Sequence, residues 1–351
     1  MLELIKKHKL RTVLIFLLII FDSFVISIAF IKCNKDVTTP GGLNKVESII
    51  EIENGLNTTG SFNTIYVYSM NDVSILQSYI ASLAPYNEVS DRNTTIDLTR
   101  DEQTESGKIQ KDQSIEGSLI CAYNYANKKY DEKITISYSF IGFIVYYYQI
   151  NQHTLQIGDI ITKVSIKETN TSVDYNDPEK LADALNNIKL GDIIYFVRGE
   201  ETIPYEIEEE ISSTNMNRFW GYSKYQILEE GTFPKYTLHT GNTLGPSGGL
   251  LQTLSVYSQI TGIDLTYGKK VCGTGTISVD GTVGAIGGIS QKITTAIRND
   301  ADIFLCPSVH YEEAMETYYK TKGHEKMIVI SVSTFEEAVV ALMELGENNE
   351  C

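Results

Sequence analysis

The chain of 351 residues is poor in the residues that build metal sites and disulfide scaffolds: five cysteines, five histidines, seven prolines and one tryptophan. The cysteines, Cys33, Cys121, Cys272, Cys306 and Cys351, are scattered and odd in number. None stands at metal-ligand spacing, which argues against zinc, and five are too few for a disulfide-built fold, although one bridge stays open. Positive charge is also scarce. Against 45 Asp and Glu there are 29 Lys and Arg, a formal net charge of -16. That sign argues against sequence-independent nucleic-acid binding, which needs cations to neutralise phosphates. The acidity reads as solubility. No Lys-Ser or Lys-Thr follows a glycine cluster at P-loop spacing, so a nucleotide-phosphate loop is excluded. His153, His239, His310 and His324 all lack the glycine-rich or acidic setting of a Ser-His-Asp set. His239, in the strand-like KYTLHT, reads as structural or surface. No cofactor and no metal are expected.

What is present begins at the N-terminus. A basic stretch, LIKKHKLR, precedes an apolar run over 12–31 that only Asp22 interrupts. The run matches the roughly 20 residues that cross a bilayer as a helix. Lys6, Lys7, Lys9 and Arg11 leave residues 1–11 as a cytoplasmic tail and send the rest outside the membrane. A cleaved signal peptide is the alternative, with Ser27-Ile28-Ala29 as its small-x-small site. The length of the run favours a retained anchor. Phe30, Ile31 and Lys32 before Cys33 speak against a lipoprotein.

The hydrophobic fraction of 42% describes a globular protein, and the length predicts two or three domains. Residues 32–130 read as a small α/β region: VESIIEIE and TIYVYS as strands, VSILQSYIASLA as a helix. Within it, LTRDEQTESGKIQKDQSIEG (98–117) reads as a charged, solvated linker or an exposed helical face. Residues 131–211 change texture. Strands KITISYS and FIGFIVYYY lead to LQIGDIITKV, a helix PEKLADALNNI, and LGDIIYFVRGEETIPYEIEEE. This order resembles a PDZ domain of the bacterial protease type, which implies strand addition of a peptide. Its groove would lie between the strand after Ser139 and helix 179–188, and a plain packing module is an equal alternative. From 212 to 351 strands and helices alternate as an α+β unit.

Two glycine clusters stand out in that last region. NTLGPSGGL (242–250) places Ser247 on a tight turn before a helix. Glycine lets the backbone approach a substrate closely, and free N–H groups at a helix start can hold an oxyanion. Alone, Ser247 is equally an N-cap. Forty-five positions later Lys292 follows GAIGGISQ. Ile289, Ile293, Ala296 and Ile297 form one helical stripe, and Lys292 shares its face. A lysine against an apolar wall either snorkels or loses its proton, and the neutral amine can accept a serine proton.

GPSGG followed by GTGTISVDGTVGAIGGISQK resembles the proteolytic domain of Lon-type proteases. There a G-P-S-A-G serine precedes T-G-x-hydrophobic, and the catalytic lysine stands four positions beyond a Gly-Gly pair. Gly287-Gly288-Ile289-Ser290-Gln291-Lys292 fits that register. The resemblance covers about the last 115 residues and implies a Ser247–Lys292 dyad, with Gly248 at the oxyanion site and Thr274 in support. Gly248 stands where the family carries alanine, and Leu244 where Lon carries an acid. An anchor, a PDZ-like module and a Lon-type domain without an ATPase motor resemble the membrane-anchored Lon-like peptidases of Gram-positive bacteria. The expected protein is thus an ATP-independent serine endopeptidase acting outside the cell membrane on peptides or unfolded segments of secreted and membrane proteins. Lon-type domains often assemble into rings, so a homo-oligomer is an open partner. A catalytically decayed PDZ scaffold is the alternative.

Overall fold

The structure is a computed structural model that describes residues 9–92, 98–148, 154–208, 219–241 and 243–349. His153, Asn242, Cys351 and the basic tail through His8 lie outside the described residues. The chain begins with α1 (Lys9–Phe30), β1 (Lys35–Lys45), β2 (Ile50–Ile52), β3 (Ser61–Met70), α2 (Ile75–Leu83), β4 (Glu88–Asp91) and α3 (Arg100–Lys129). Next come β5 (Thr135–Tyr148), β6 (Ile160–Ile166), β7 (Thr171–Asp174), α4 (Pro178–Asn186), β8 (Ile193–Arg198), β9 (Glu201–Glu206) and β10 (Phe219–Phe233). The last part holds β11 (Tyr236–Leu238), α5 (Gly249–Thr261), β12 (Lys270–Gly273), β13 (Thr276–Ile277) and β14 (Val283–Gly284). It closes with α6 (Ile289–Arg298), β15 (Ile303–Pro307), α7 (Tyr311–Lys320), β16 (Ile328–Val332) and α8 (Phe335–Asn349).

The chain divides into two compact units, of which the first takes residues 1–41 and 67–93. Within it α1 is apolar and long enough to cross a bilayer, with none of the residues of its apolar stretch Arg11–Phe30 buried; a signal sequence has the same properties. The first residues of β1 pair antiparallel with β4. Helix α2 starts in a capping box, where Ser74 Oγ accepts from Gln77 N and the Gln77 side chain accepts from Ser74 N. Val37, Val73 and Ala81 make this unit's small core.

The second unit takes the remainder. Its sheet runs β16-β15-β12-β3 and continues into β1, with β12 parallel to both β3 and β15. Alternation along the strands decides the layers. Phe62, Val271, Ile303 and Leu305 pack with α3, α5 and α8 on one face. Ile65, Cys272, Phe304 and Cys306 pack with α6 and α7 on the other. The three layers therefore draw on residues 42–66 and 98–129 as well as on 212–351. The segment 32–130 is not a region apart, because β3 lies beside β12 and α3 lies in the core of the α+β unit.

The charged stretch 98–117 is neither loop nor exposed face. It forms the first part of α3, capped by Thr99 with Glu102 in a capping box. Ser106, Gly107, Gln113, Ser114, Gly117 and Ser118 are buried there. Small polar side chains let two helices close up while hydroxyls bond across, so burial came without the apolar periodicity that marks a core helix. VESIIEIE also departs from a single strand, forming a 3-10 turn over Val46–Ser48 and the short β2.

Between α3 and β11 the chain builds a second, antiparallel sheet ordered β10-β5-β6-β8-β9, with β7 on β6. Its two Gly-Asp turns are structural. Asp159 accepts from Arg198 Nε at 2.8 Å and Nη2 at 2.7 Å and from Gln156 N at 2.7 Å. Asp192 accepts from Lys167 N at 2.9 Å and Lys189 N at 2.8 Å. Strand β5, which contains Ser139, has neighbours on both sides. β10 pairs along most of its length, and β6 pairs at Phe143 and Ile144. Helix α4 packs Leu181 and Ala184 on Val164 of β6, with Phe140 and Phe143 of β5 against the same cluster. The expected groove is therefore closed by β10.

Candidate active site

Ser247 sits in the turn that enters α5, and its backbone is held from two directions. Gly245 adopts φ +89°, a left-handed conformation that costs a residue with Cβ about 1 kcal/mol. Its N–H donates to Gly107 O of α3 at 2.9 Å. Ser114 Oγ, also on α3, donates to Pro246 O at 2.9 Å. From the opposite side Thr274 Oγ1 donates to Ser247 O at 3.1 Å, and Gly275 N donates to the same oxygen at 2.9 Å. With the carbonyls on both sides of the serine nitrogen engaged, the orientation of its peptide is fixed. No described residue accepts from the N–H of Ser247 or Gly248. Two adjacent free donors at a helix start are what an oxyanion needs.

Of the glycines after Ser247, Gly249 is sterically required and Gly248 sits in a tight space. A Cβ on Gly249 would meet Ile277 N at 2.9 Å and Ser114 Oγ at 3.0 Å. A Cβ on Gly248, where the family pattern has alanine, would meet Thr64 Cγ2 at 3.0 Å. Thr64 of β3 therefore fills space that an alanine methyl would need, which accounts for that departure.

Lys292 lies in the second turn of α6, whose N-terminus is set by Gly288 at φ +70°. It is 3% exposed. Burial pulls its ammonium down from the usual lysine value to about 8. Nζ donates to Thr274 Oγ1 at 3.1 Å, and that hydroxyl is the one that donates to Ser247 O. Thr274, fully buried at the end of β12, thus joins the two glycine clusters. The structure brings together Ser247, Gly248, Thr274 and Lys292. The described histidines take other partners: His239 meets Glu51 at 3.1 Å, His310 Nε2 accepts from Ile286 N, and His324 meets Thr321 O.

The supports on α3 were not apparent from the sequence. Ser118 Oγ donates to Gly249 O at 3.0 Å, and Ser114 and Ser118 both reach Gln252 Oε1 at 3.3 Å. Their signal is the i, i+4 recurrence of Ser106, Gln110, Ser114 and Ser118 on one helix face. Beside the turn is a cavity of about 170 Å³ lined by Gln110, Ser114, Pro246, Ile277 and two tyrosines of β10, Tyr222 and Tyr225. Strand β10 is held to α3 there by the Lys224–Glu116 ion pair. Burial raises the Glu116 carboxyl, and the Lys224 hydrogen bond opposes it. The Gln113 amide, oriented to satisfy its neighbours, donates to Ser223 O at 3.1 Å and accepts from Lys224 at 3.2 Å.

Residues 228–344 match the family model of the Lon protease (S16) C-terminal proteolytic domain. Among curated proteins, the Lon protease of Wolbachia pipientis is 31% identical over 128 residues, covering 35% of this chain and 14% of that protein. The Lon protease of Neorickettsia sennetsu is 36% identical over 95 residues, 27% of this chain and 11% of the relative. That of Clostridioides difficile is 26% identical over 223 residues, 60% of this chain and 26% of the relative. The chain therefore spans well under half the length of each.

Proposed function

Residues 228–344 being a Lon-type (S16) proteolytic domain, we propose that this chain is a membrane-anchored serine endopeptidase that cleaves extended polypeptides with a Ser247–Lys292 dyad. In this reading neutral Lys292 Nζ takes the Ser247 hydroxyl proton as Oγ bonds to the scissile carbonyl carbon. The carbonyl oxygen becomes an oxyanion that the N–H groups of Ser247 and Gly248 receive. Lys292 then gives its proton to the departing amine nitrogen, leaving an acyl-enzyme. Water attacks the acyl carbon, gives a proton to Lys292, and Ser247 leaves with that proton returned. Thr274 holds the amine by accepting one of its hydrogens. The observation that carries the reading is the buried Lys292, pushed down to about 8 and tied through Thr274 to the carbonyl of Ser247.

In this reading cleavage proceeds without nucleotide and takes segments already unfolded. The cavity bounded by Tyr222 and Tyr225 receives a substrate side chain beside the scissile bond. Helix α1 anchors the chain, with the residues after it outside the cytoplasm. The antiparallel sheet, PDZ-like in its order, acts on substrate through the cavity that Tyr222 and Tyr225 line, since β10 takes the edge of β5 that a peptide strand would need. The test compares wild type with Ser247→Ala and Lys292→Met on an unfolded protein substrate. Loss of cleavage in both supports the dyad, and retained cleavage in either refutes it.

A further inference from the structure

Helix α2 is built the wrong way round for a soluble protein. Its apolar residues, Ile75, Leu76, Tyr79, Ile80 and Leu83, recur at i, i+1, i+4, i+5 and i+8 and form one stripe. An amphipathic helix ordinarily turns such a stripe into the core. Here the stripe is outside: Tyr79 is 62% exposed and Leu83 66% exposed, with Ile75 and Ile80 also exposed. The residue turned inward is Ala81, packed near Val37 and Val73. None of the nine side chains of Ile75–Leu83 is charged.

The start of α2 is fixed at the end of α1. Ile75 N donates to Ile31 O at 3.0 Å, and Cys33 N donates to Val73 O at 3.1 Å. Lys32 and Ser74 form an antiparallel bridge. The first turn of α2 is therefore bonded to the residue that follows the apolar helix. Where α1 leaves the hydrocarbon, α2 begins. A helix of nine residues is about 13 Å long, short enough to stay wholly within the headgroup zone, where tyrosine is favoured.

We propose that α2 is an interfacial helix that lies on the lipid bilayer, with Ile75, Tyr79, Ile80 and Leu83 inserted among the acyl chains. This rests on the reading of α1 as a membrane span. The helix then fixes the height and tilt of the anchored unit against the membrane, which a single spanning helix cannot do.

The test uses the full chain in vesicles of phosphatidylcholine and phosphatidylglycerol, in a Cys33→Ser and Cys351→Ser background that leaves only the buried Cys121, Cys272 and Cys306. An environment-sensitive fluorophore is attached at Leu83→Cys, Gln77→Cys or Ile20→Cys, one site at a time. The proposal expects the label at 83 to be quenched by shallow doxyl lipids and not by aqueous iodide. The label at 77 should show the reverse, and that at 20 should be quenched by deep doxyl lipids. A label at 83 open to iodide, with 20 still lipid-quenched, overturns the interfacial helix and leaves the anchor standing. A label at 83 shielded from both quenchers places a protein surface there and also overturns it. An aqueous label at 20 refutes the anchor itself, and the proposal with it. As a second measurement, Ile80→Glu with Leu83→Glu should move a label at Tyr79→Cys into water and leave cleavage of a soluble peptide within twofold of wild type. A label at 79 that stays in lipid contradicts the proposal.

Discussion

At the residue scale, chemistry and stability pull in opposite directions at Lys292. Its folded pKa, about 8, lies below the 10.5 of an unfolded lysine, so between those values the unfolded chain binds more protons and stability rises with pH. Below pH 8 the buried ammonium carries its full penalty, about 3 kcal/mol by linkage. Lys292→Met removes it. At pH 7 the variant should melt several degrees above wild type in calorimetry, with the gap closing between pH 8 and 10.5, while the dyad predicts that it loses activity. The same ionisation shapes the rate: kcat/KM for a peptide should climb with pH and level off above about 8. Thr274→Val keeps the shape but removes the acceptor for Lys292 and the donor to Ser247 O. Two bonds near 1 kcal/mol each predict a drop in kcat/KM of roughly tenfold to a hundredfold.

Elements explain which parts of the site were legible in sequence. Ser247 and Lys292 stand in glycine-bounded turns whose backbone demands leave a written trace, such as Gly245 at φ +89° and Gly288 at φ +70°. Lys292 was also readable from the apolar stripe of α6, because burial of that face is what periodicity reports. Helix α3 was not readable. In its first half Ser106, Gly107, Gln113, Ser114 and Gly117 are buried with only Ile109 and Ile115 as apolar partners, too few to mark an apolar period. The groove by β5 failed for another reason: strand pairing is non-local, and β10 joins β5 from about 75 residues further along. The supports on α3 can be checked. Ser114→Ala takes one hydrogen bond from Pro246 O, so kcat should fall while the melting temperature moves little, as stopped assays and thermal melts would show.

For the whole molecule, the core that holds the Lon-type match at residues 228–344 is assembled from separated stretches of chain. Phe62, Ile50, Ile115, Leu119 and Tyr123 share one core with Leu250, Leu254 and Val271. Each contributes roughly 1.5–3 kcal/mol by burial, against a net domain stability of about 5–15 kcal/mol. A fragment of residues 212–351 lacks all five and should be unfolded by circular dichroism, whereas residues 42–351 should fold. The antiparallel sheet is inserted between those stretches, and its long β5–β10 ribbon brings Tyr222 and Tyr225 to the cavity beside Pro246. The antiparallel sheet and the turn that carries Ser247 are in this way parts of one continuous structure.

The most direct measurement is intact-mass analysis after reaction with a fluorophosphonate at pH 8.5, with peptide mapping of the adduct. Wild type should gain one adduct, on Ser247, and Lys292→Met should gain none in the same time. Equal labelling of Lys292→Met, or an adduct on another residue, would contradict the dyad.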